Sequence, residues 1–130
     1  MQAAFRFLII EESMASRIVI RDQFTRLNQH IDLVSTIEEA LERIASAFYD
    51  MILVDSRFYH ELITMDFKSL IPEQNKMTLR SLIGIMTNQA IDLSHQQSLE
   101  DYLYFAKPFS SEKTIQIIDY LKVIMEAKHE

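Results

Sequence analysis

The segment that most constrains the fold is a run of four apolar residues, 51–54, that ends at the carboxylate of Asp55. A short, continuous apolar run is typical of a strand that is buried on both faces, as in the middle of a parallel sheet. Open α/β folds bind their ligands at the carboxyl edge of such a sheet, where this strand would deliver its Asp. Asp55 is therefore either a reactive group or a residue of the turn that ends the strand.

Strand and helix patterns alternate five times along the chain, and Ser13 and the capping box that begins at Thr36 mark two of the helix starts. Strands are predicted at 5–10, 31–35, 49–55, 81–86 and 102–106, and helices at 14–28, 36–47, 62–71, 88–99 and 110–125. This alternation predicts a parallel sheet with helices on both faces and right-handed crossovers. We interpret residues 1–130 as a single doubly wound α/β domain.

Composition excludes several functional classes. A formal net charge of -6 argues against nucleic acid as the main partner, because phosphate contacts need Lys and Arg. The absence of Cys excludes disulfides and thiolate metal sites, and a single Gly excludes the Gly-rich loops that bind nucleotide phosphates. The apolar run near the N-terminus is too short for a signal sequence or a membrane span, so we expect a cytoplasmic protein without membrane contacts.

Polar side chains follow four of the five predicted strands. Glu11 and Glu12 follow the first, Asp55 ends the third, Thr87 follows the fourth and Lys107 follows the fifth. In a doubly wound sheet the carboxyl ends of these strands converge on one crevice. A single site explains these positions more simply than five coincidences do.

In these residues the chain resembles the receiver domains of two-component response regulators, the CheY-like family. The likeness runs from Arg6 to Met125 and is carried by the acidic pair, Asp55, Thr87 and the run from Lys107 to Phe109. It implies a flavodoxin-like, CheY-like sheet of strand order 2-1-3-4-5 with five helices. It also implies a phosphorelay signalling protein rather than an enzyme.

The resemblance assigns Asp55 as the acceptor of a phosphoryl group from a histidine kinase or a histidine phosphotransfer protein. Mg²⁺ or Mn²⁺ would bind beside it, with Glu12 as a direct ligand, Glu11 as a water-mediated ligand and the Arg57 carbonyl as a backbone ligand. A divalent cation relieves the repulsion among three carboxylates and neutralises phosphoryl oxygens.

The resemblance also assigns a switch. Lys107 would pair with Asp55 and later with a phosphoryl oxygen, and the Thr87 hydroxyl would bind the phosphoryl group. The rotamer of the Tyr104 ring would be coupled to the movement of Thr87. Its change would alter the face formed by the fourth helix, the fifth strand and the fifth helix. On the final helix, apolar residues extend past the inner stripe and predict a surface for an effector or a homodimer; they are Ile117, Tyr120 and Ile124.

The chain departs from the family pattern at several positions. Its acidic pair is Glu-Glu instead of Asp-Asp or Glu-Asp, and Asn88 stands where the family has a smaller residue. Arg57 and Gln89 occupy positions that tune dephosphorylation in the family. The Arg57 side chain could also reach Asp55 and stand in for the metal.

These departures leave alternatives open. One is a pseudo-receiver, an interaction module that keeps the fold without phosphorylation. If Asp55 is phosphorylated, a phosphorelay intermediate and a diffusible regulator both fit, and we expect a receiver without a covalent output module. A flavodoxin-like enzyme is disfavoured because no cofactor-binding loop is visible.

Overall fold

The computed structural model describes residues 4–71, 82–87, 103–107 and 110–128, which form a five-stranded sheet with helices on both faces. Its strands are β1 (Arg6–Ile10), β2 (His30–Val34), β3 (Met51–Asp55), β4 (Leu82–Thr87) and β5 (Leu103–Ala106). All neighbours are parallel and the order is β2-β1-β3-β4-β5. The predicted fold class and strand order are therefore confirmed.

The apolar strand β3 is buried along its whole length between β1 and β4. A strand in this position needs apolar side chains on both faces, which explains its continuous apolar run. Because every strand runs in the same direction, all five carboxyl ends lie at one edge of the sheet. Asp55 is delivered to that edge by the strand that crosses the centre of the core.

Four α-helices lie in the described part of the chain: α1 (Met14–Arg26), α2 (Ile37–Ser46), α3 (Tyr59–Thr64) and the C-terminal helix (Ser111–Lys128). Three begin at hydroxyl residues, of which Ser13 and Thr36 were indicated by the sequence. The Ser13 hydroxyl accepts from the Ser16 N–H, the Thr36 hydroxyl from the Glu39 N–H, and the Ser110 hydroxyl from the Lys113 N–H. Each bond satisfies a backbone donor that the first turn leaves free.

The helix predicted at 62–71 is wrong as a single element. A 3₁₀ turn (Ser56–Phe58) leads into the short α3, and a second 3₁₀ turn (Phe67–Leu70) follows. Asp66 separates the last two with a φ of 51°, a left-handed conformation that an α-helix does not continue through. The helix predicted at 88–99 lies outside the described residues.

The core has two halves, one on each side of the sheet. On one side α2 and α3 pack against Leu8, Ile10, Ile52, Val54 and Ile85, and on the other α1 and the C-terminal helix pack against alternate residues of the same strands. In α1 only Ile20 and Phe24 are buried, whereas the neighbouring Val19 is exposed. None of the helices in the described ranges is long and apolar enough to cross a bilayer.

Tyr49 provides a test of this packing at alkaline pH. Its ring is buried and its hydroxyl donates to Asp32 Oδ2 at 2.7 Å. Burial, followed by the Asp32 hydrogen bond, raises the pKa of Tyr49 to about 12. A raised folded-state pKa contributes stability that is complete below the pKa of an unfolded tyrosine, about 10, and is lost as the pH rises to about 12.

In an absorbance titration, we therefore expect a late ionisation step at about pH 12, which comes from Tyr49. The Tyr49→Phe variant should lack that late step and lose less stability as the pH rises through this window. A Tyr49→Phe titration that still contains the late step would contradict the assignment.

Candidate functional site

The strand register brings the predicted polar residues to one edge of the sheet. Val54 pairs with Ile10, so that Glu11 follows directly beside Asp55. Asp55 pairs with Met86, one residue before Thr87, and the Lys107 N–H donates to the Thr87 carbonyl at 2.7 Å. The four strand ends thus form one crevice.

Asp55 is 4% exposed and caps the following 3₁₀ turn. Its Oδ1 accepts from the Arg57 N–H at 3.4 Å, which is a long hydrogen bond. Asp55 thus ends the strand and also presents its carboxylate to the crevice. A role as a turn residue is therefore compatible with a role as a reactive group.

Lys107 is the inner cation of the site and is shared by two carboxylates. Its Nζ donates to Glu11 Oε1 and lies 3.5 Å from Asp55 Oδ1. Glu11 is 1% exposed, and its other oxygen accepts from the Ser13 N–H at 3.2 Å. The predicted pairing of Lys107 with Asp55 is present, but the closer contact is with Glu11. The longer Glu side chain carries its carboxylate to the ammonium while Ser13 orients it.

Arg57 is the outer cation. Its Nη1 lies 3.8 Å from Glu12 Oε2 and its Nε lies 3.8 Å from Asp55 Oδ2. The Glu12 and Arg57 side chains are both mostly exposed, whereas Asp55 is buried. Arg57 therefore spans the mouth of the crevice, from a buried carboxylate to an exposed one.

The donor atoms match a hard divalent cation in their chemistry. Mg²⁺ prefers oxygen ligands, and Glu11, Glu12 and Asp55 provide carboxylate oxygens around the crevice. Within the described ranges, however, no three acidic or His side chains are gathered closely enough to hold a metal ion. Lys107 and Arg57 contact these carboxylates instead. The ligand types fit a metal, and in this structure the carboxylates are paired with side-chain cations.

The predicted switch residues lie on β4 and β5. Thr87 ends β4 and is partly exposed at the crevice. Tyr104 pairs with Ile85 and packs, partly buried, against the core on the α2 and α3 side. Gln89 and Asn88 lie outside the described residues.

Arg17 is a site-supporting residue that the sequence analysis missed. Its Nη1 donates to the carbonyls of Glu11 and Glu12, at 2.8 Å each, and so holds the backbone of the acidic pair. A signal was available, because Arg17 lies in the first turn of α1, where a positive charge opposes the helix dipole. An unfavourable charge at that position indicates a specific contact.

The surface predicted on the C-terminal helix needs one correction. Ile117 is 1% exposed and lies in the core with Ile118 and Leu121, so it cannot be part of a partner surface. The C-terminal helix packs against the sheet through Ile117 together with Ile118 and Leu121, an apolar arc wider than a single stripe. Tyr120 is partly exposed, and its ring meets Phe105 edge-on at a centroid distance of 6.3 Å. Ile124 is partly buried.

Comparison with solved structures identifies the fold. No family model matches the chain, and no curated protein matches it. Among solved structures it is similar to the chemotaxis protein CheY4 of Vibrio cholerae, at 16% identity and a TM-score of 0.71, over 92% of this chain and 99% of that one.

Two other similar structures each share 21% identity over 92% of this chain. One is a two-component response regulator from Clostridium difficile, with a TM-score of 0.71 and 97% of its chain covered. The other is the receiver domain of the sensor histidine kinase PA1611 from Pseudomonas aeruginosa, with a magnesium ion coordinated in its active site cleft, a TM-score of 0.68 and 98% covered. The chain has the CheY-like fold of two-component receiver domains.

Proposed function

We propose that this chain is a receiver domain that accepts a phosphoryl group on Asp55 from a histidine kinase or a histidine phosphotransfer protein. The observation that carries the proposal is the environment of Asp55, a nearly buried carboxylate at the carboxyl edge of the sheet with Lys107 Nζ 3.5 Å from its Oδ1. A buried strand-end carboxylate beside a fixed ammonium is arranged for chemistry on an anionic ligand.

In the transfer, one Asp55 carboxylate oxygen attacks phosphorus, and the P–N bond breaks to release the donor histidine, whose other ring nitrogen carries a proton. The products are an acyl phosphate on Asp55 and a neutral imidazole. Lys107 keeps the ammonium beside the attacking carboxylate and then neutralises a phosphoryl oxygen. The Thr87 hydroxyl, at the adjacent strand end, donates to another phosphoryl oxygen.

Glu11, Glu12, Asp55 and the Arg57 carbonyl would hold a Mg²⁺ or Mn²⁺ ion. When bound, this ion supplies charge neutralisation for the attacking and leaving groups. Glu11 cannot serve as a ligand without sharing its carboxylate with Lys107, which it contacts directly. Arg17 keeps the acidic pair in place from its backbone side.

We place the output on the face around β5 and the C-terminal helix, where an effector or a second copy would bind. Tyr104 and Phe105 are consecutive on β5 and point to opposite sides of the sheet, and Phe105 meets Tyr120. A change at Tyr104 can thus reach the helix through one strand residue. Tyr120 and Ile124 remain the proposed contact residues, without Ile117.

A pseudo-receiver is the second candidate, and one observation favours it. Arg57 already contacts both Glu12 and Asp55, so the carboxylates have counterions without a metal or a phosphoryl group. In that case the domain would act as an interaction module whose site is structural.

Acetyl phosphate separates the two candidates. We expect the protein, incubated with Mg²⁺ and this donor, to gain the mass of one phosphoryl group that hydroxylamine removes, as for an acyl phosphate. Asp55→Asn should gain none. Asp22→Asn, an exposed Asp on α1 that pairs with Arg26, is the matched control and should react like the parent. No gain in the parent, together with no response to beryllofluoride, would leave the pseudo-receiver.

A further inference from the structure

We propose that the Arg57 guanidinium and a divalent cation compete for the same two carboxylates, so that Arg57 is a tethered counterion which metal must displace. The inference rests on the proposed function, because it takes Glu12 and Asp55 as metal ligands. The inference adds that the Arg57 side chain weakens metal binding, although the backbone carbonyl of the same residue is a proposed metal ligand.

The geometry makes the two cations exclusive. Nη1 and Nε of one guanidinium each lie 3.8 Å from an oxygen, the first of Glu12 and the second of Asp55. A Mg²⁺ ion bound to the same oxygens would lie about 2.1 Å from each and carry further waters in an octahedral shell. Two nitrogens of the guanidinium already lie beside the two oxygens that such an ion would need.

The charges lead to the same conclusion. Glu11, Glu12 and Asp55 carry three negative charges, and Lys107 and Arg57 carry two positive ones. Adding a divalent cation to this set would make the net charge of the cluster positive. It would also place the metal ion within a few ångströms of the guanidinium. If the Arg57 side chain leaves as the metal enters, the cluster becomes neutral.

Of the two cations, Arg57 is the one that can leave. Its side chain is 66% exposed, so it can turn into water without opening the core. Lys107 is only 15% exposed and contacts Glu11 as well as Asp55 Oδ1, whereas the Arg57 guanidinium pairs with Asp55 Oδ2. Metal entry therefore exchanges the outer cation and keeps the inner one.

Metal affinity without any phosphodonor tests the inference. We expect Arg57→Ala to bind Mn²⁺ and Mg²⁺ about two- to fivefold more tightly than the parent in calorimetric titrations, the range that exposed ion pairs support. Arg57→Lys keeps the charge without the planar fork and should fall between the two. Arg26→Ala removes an equally exposed, ion-paired Arg from the far end of α1, and its metal affinity should equal that of the parent.

The unfolding temperature gives a second measure. The rise that saturating Mn²⁺ produces should be larger in Arg57→Ala than in the parent and in Arg26→Ala. Equal metal affinity in the parent and Arg57→Ala, or metal binding by neither, would overturn the inference. If Arg57→Ala binds metal more tightly but Asp55 is never phosphorylated, only the proposed function fails. If Asp55 is phosphorylated and Arg57→Ala changes nothing, only this inference fails.

Discussion

Lys107→Met is expected to lower the free energy of unfolding by about 2–4 kcal/mol, because it leaves buried charges without their partner. Glu11 and Asp55 are both nearly inaccessible to water and share the Lys107 ammonium. Without it, Glu11 retains the Ser13 N–H, and Asp55 retains the Arg57 N–H and the exposed Arg57 guanidinium, whose Nε is 3.8 Å away. These contacts do not neutralise two buried carboxylates. Urea unfolding at neutral pH measures the loss, and the same variant should not retain a phosphoryl group from acetyl phosphate.

A second substitution identifies the cause of this loss. Glu11→Gln in the Lys107→Met background removes one of the two buried carboxylate charges that have lost Lys107, so it should recover part of the stability. Glu11→Gln alone should be destabilising. Lys122→Met is the matched control, since Lys122 pairs with Asp119 at 3.9 Å on the surface and such pairs contribute little. A Lys107→Met protein as stable as Lys122→Met would show that the buried pair is not needed.

The second large effect is expected at the only glycine of the chain, Gly84 in β4. A Cβ at this position would lie 2.7 Å from Phe105 Cε2 and 2.9 Å from Leu53 Cδ2. These distances are shorter than carbon contacts allow, so the side chains on both neighbouring strands must move. Gly84→Val is expected to cost about 2–3 kcal/mol of stability in urea unfolding, as overpacked cores do.

Smaller changes at the same place distinguish overpacking from a backbone effect. Gly84→Ala should cost less than Gly84→Val, and Phe105→Leu should offset part of the loss in the double variant by removing the ring atoms that lie nearest. If Gly84→Val and the parent unfold at the same urea concentration, the packing of β4 against its neighbours does not limit the size of the side chain at position 84.

The sheet could be predicted from the sequence because a buried strand requires a continuous run of apolar residues. The continuous apolar run before Asp55 requires a strand with neighbours on both sides, and β1 and β4 are those neighbours. Alternation with capped helices requires parallel connections, which place every strand end at one edge. The proximity of Glu11, Asp55, Thr87 and Lys107 follows from that topology alone.

Local patterns failed where a residue's surroundings lie far away in the chain. Ile117 and Tyr120 are both apolar and three residues apart on one helix, but only the rotation of that helix against the sheet decides that the first is buried. The need for a glycine at position 84 depends in the same way on side chains of the two neighbouring strands.

The sequence by itself therefore determined which charged residues meet, and the tertiary structure decided how they pair. Strand order delivers three carboxylates and two cations to one edge, whatever their exact side-chain positions. Which cation contacts which oxygen depends on side-chain length and burial. The long Glu11 side chain reaches Lys107 within the core, and Arg57 is left outside with Glu12 and the second oxygen of Asp55. These are distances set by three-dimensional packing, and no spacing along the chain encodes them.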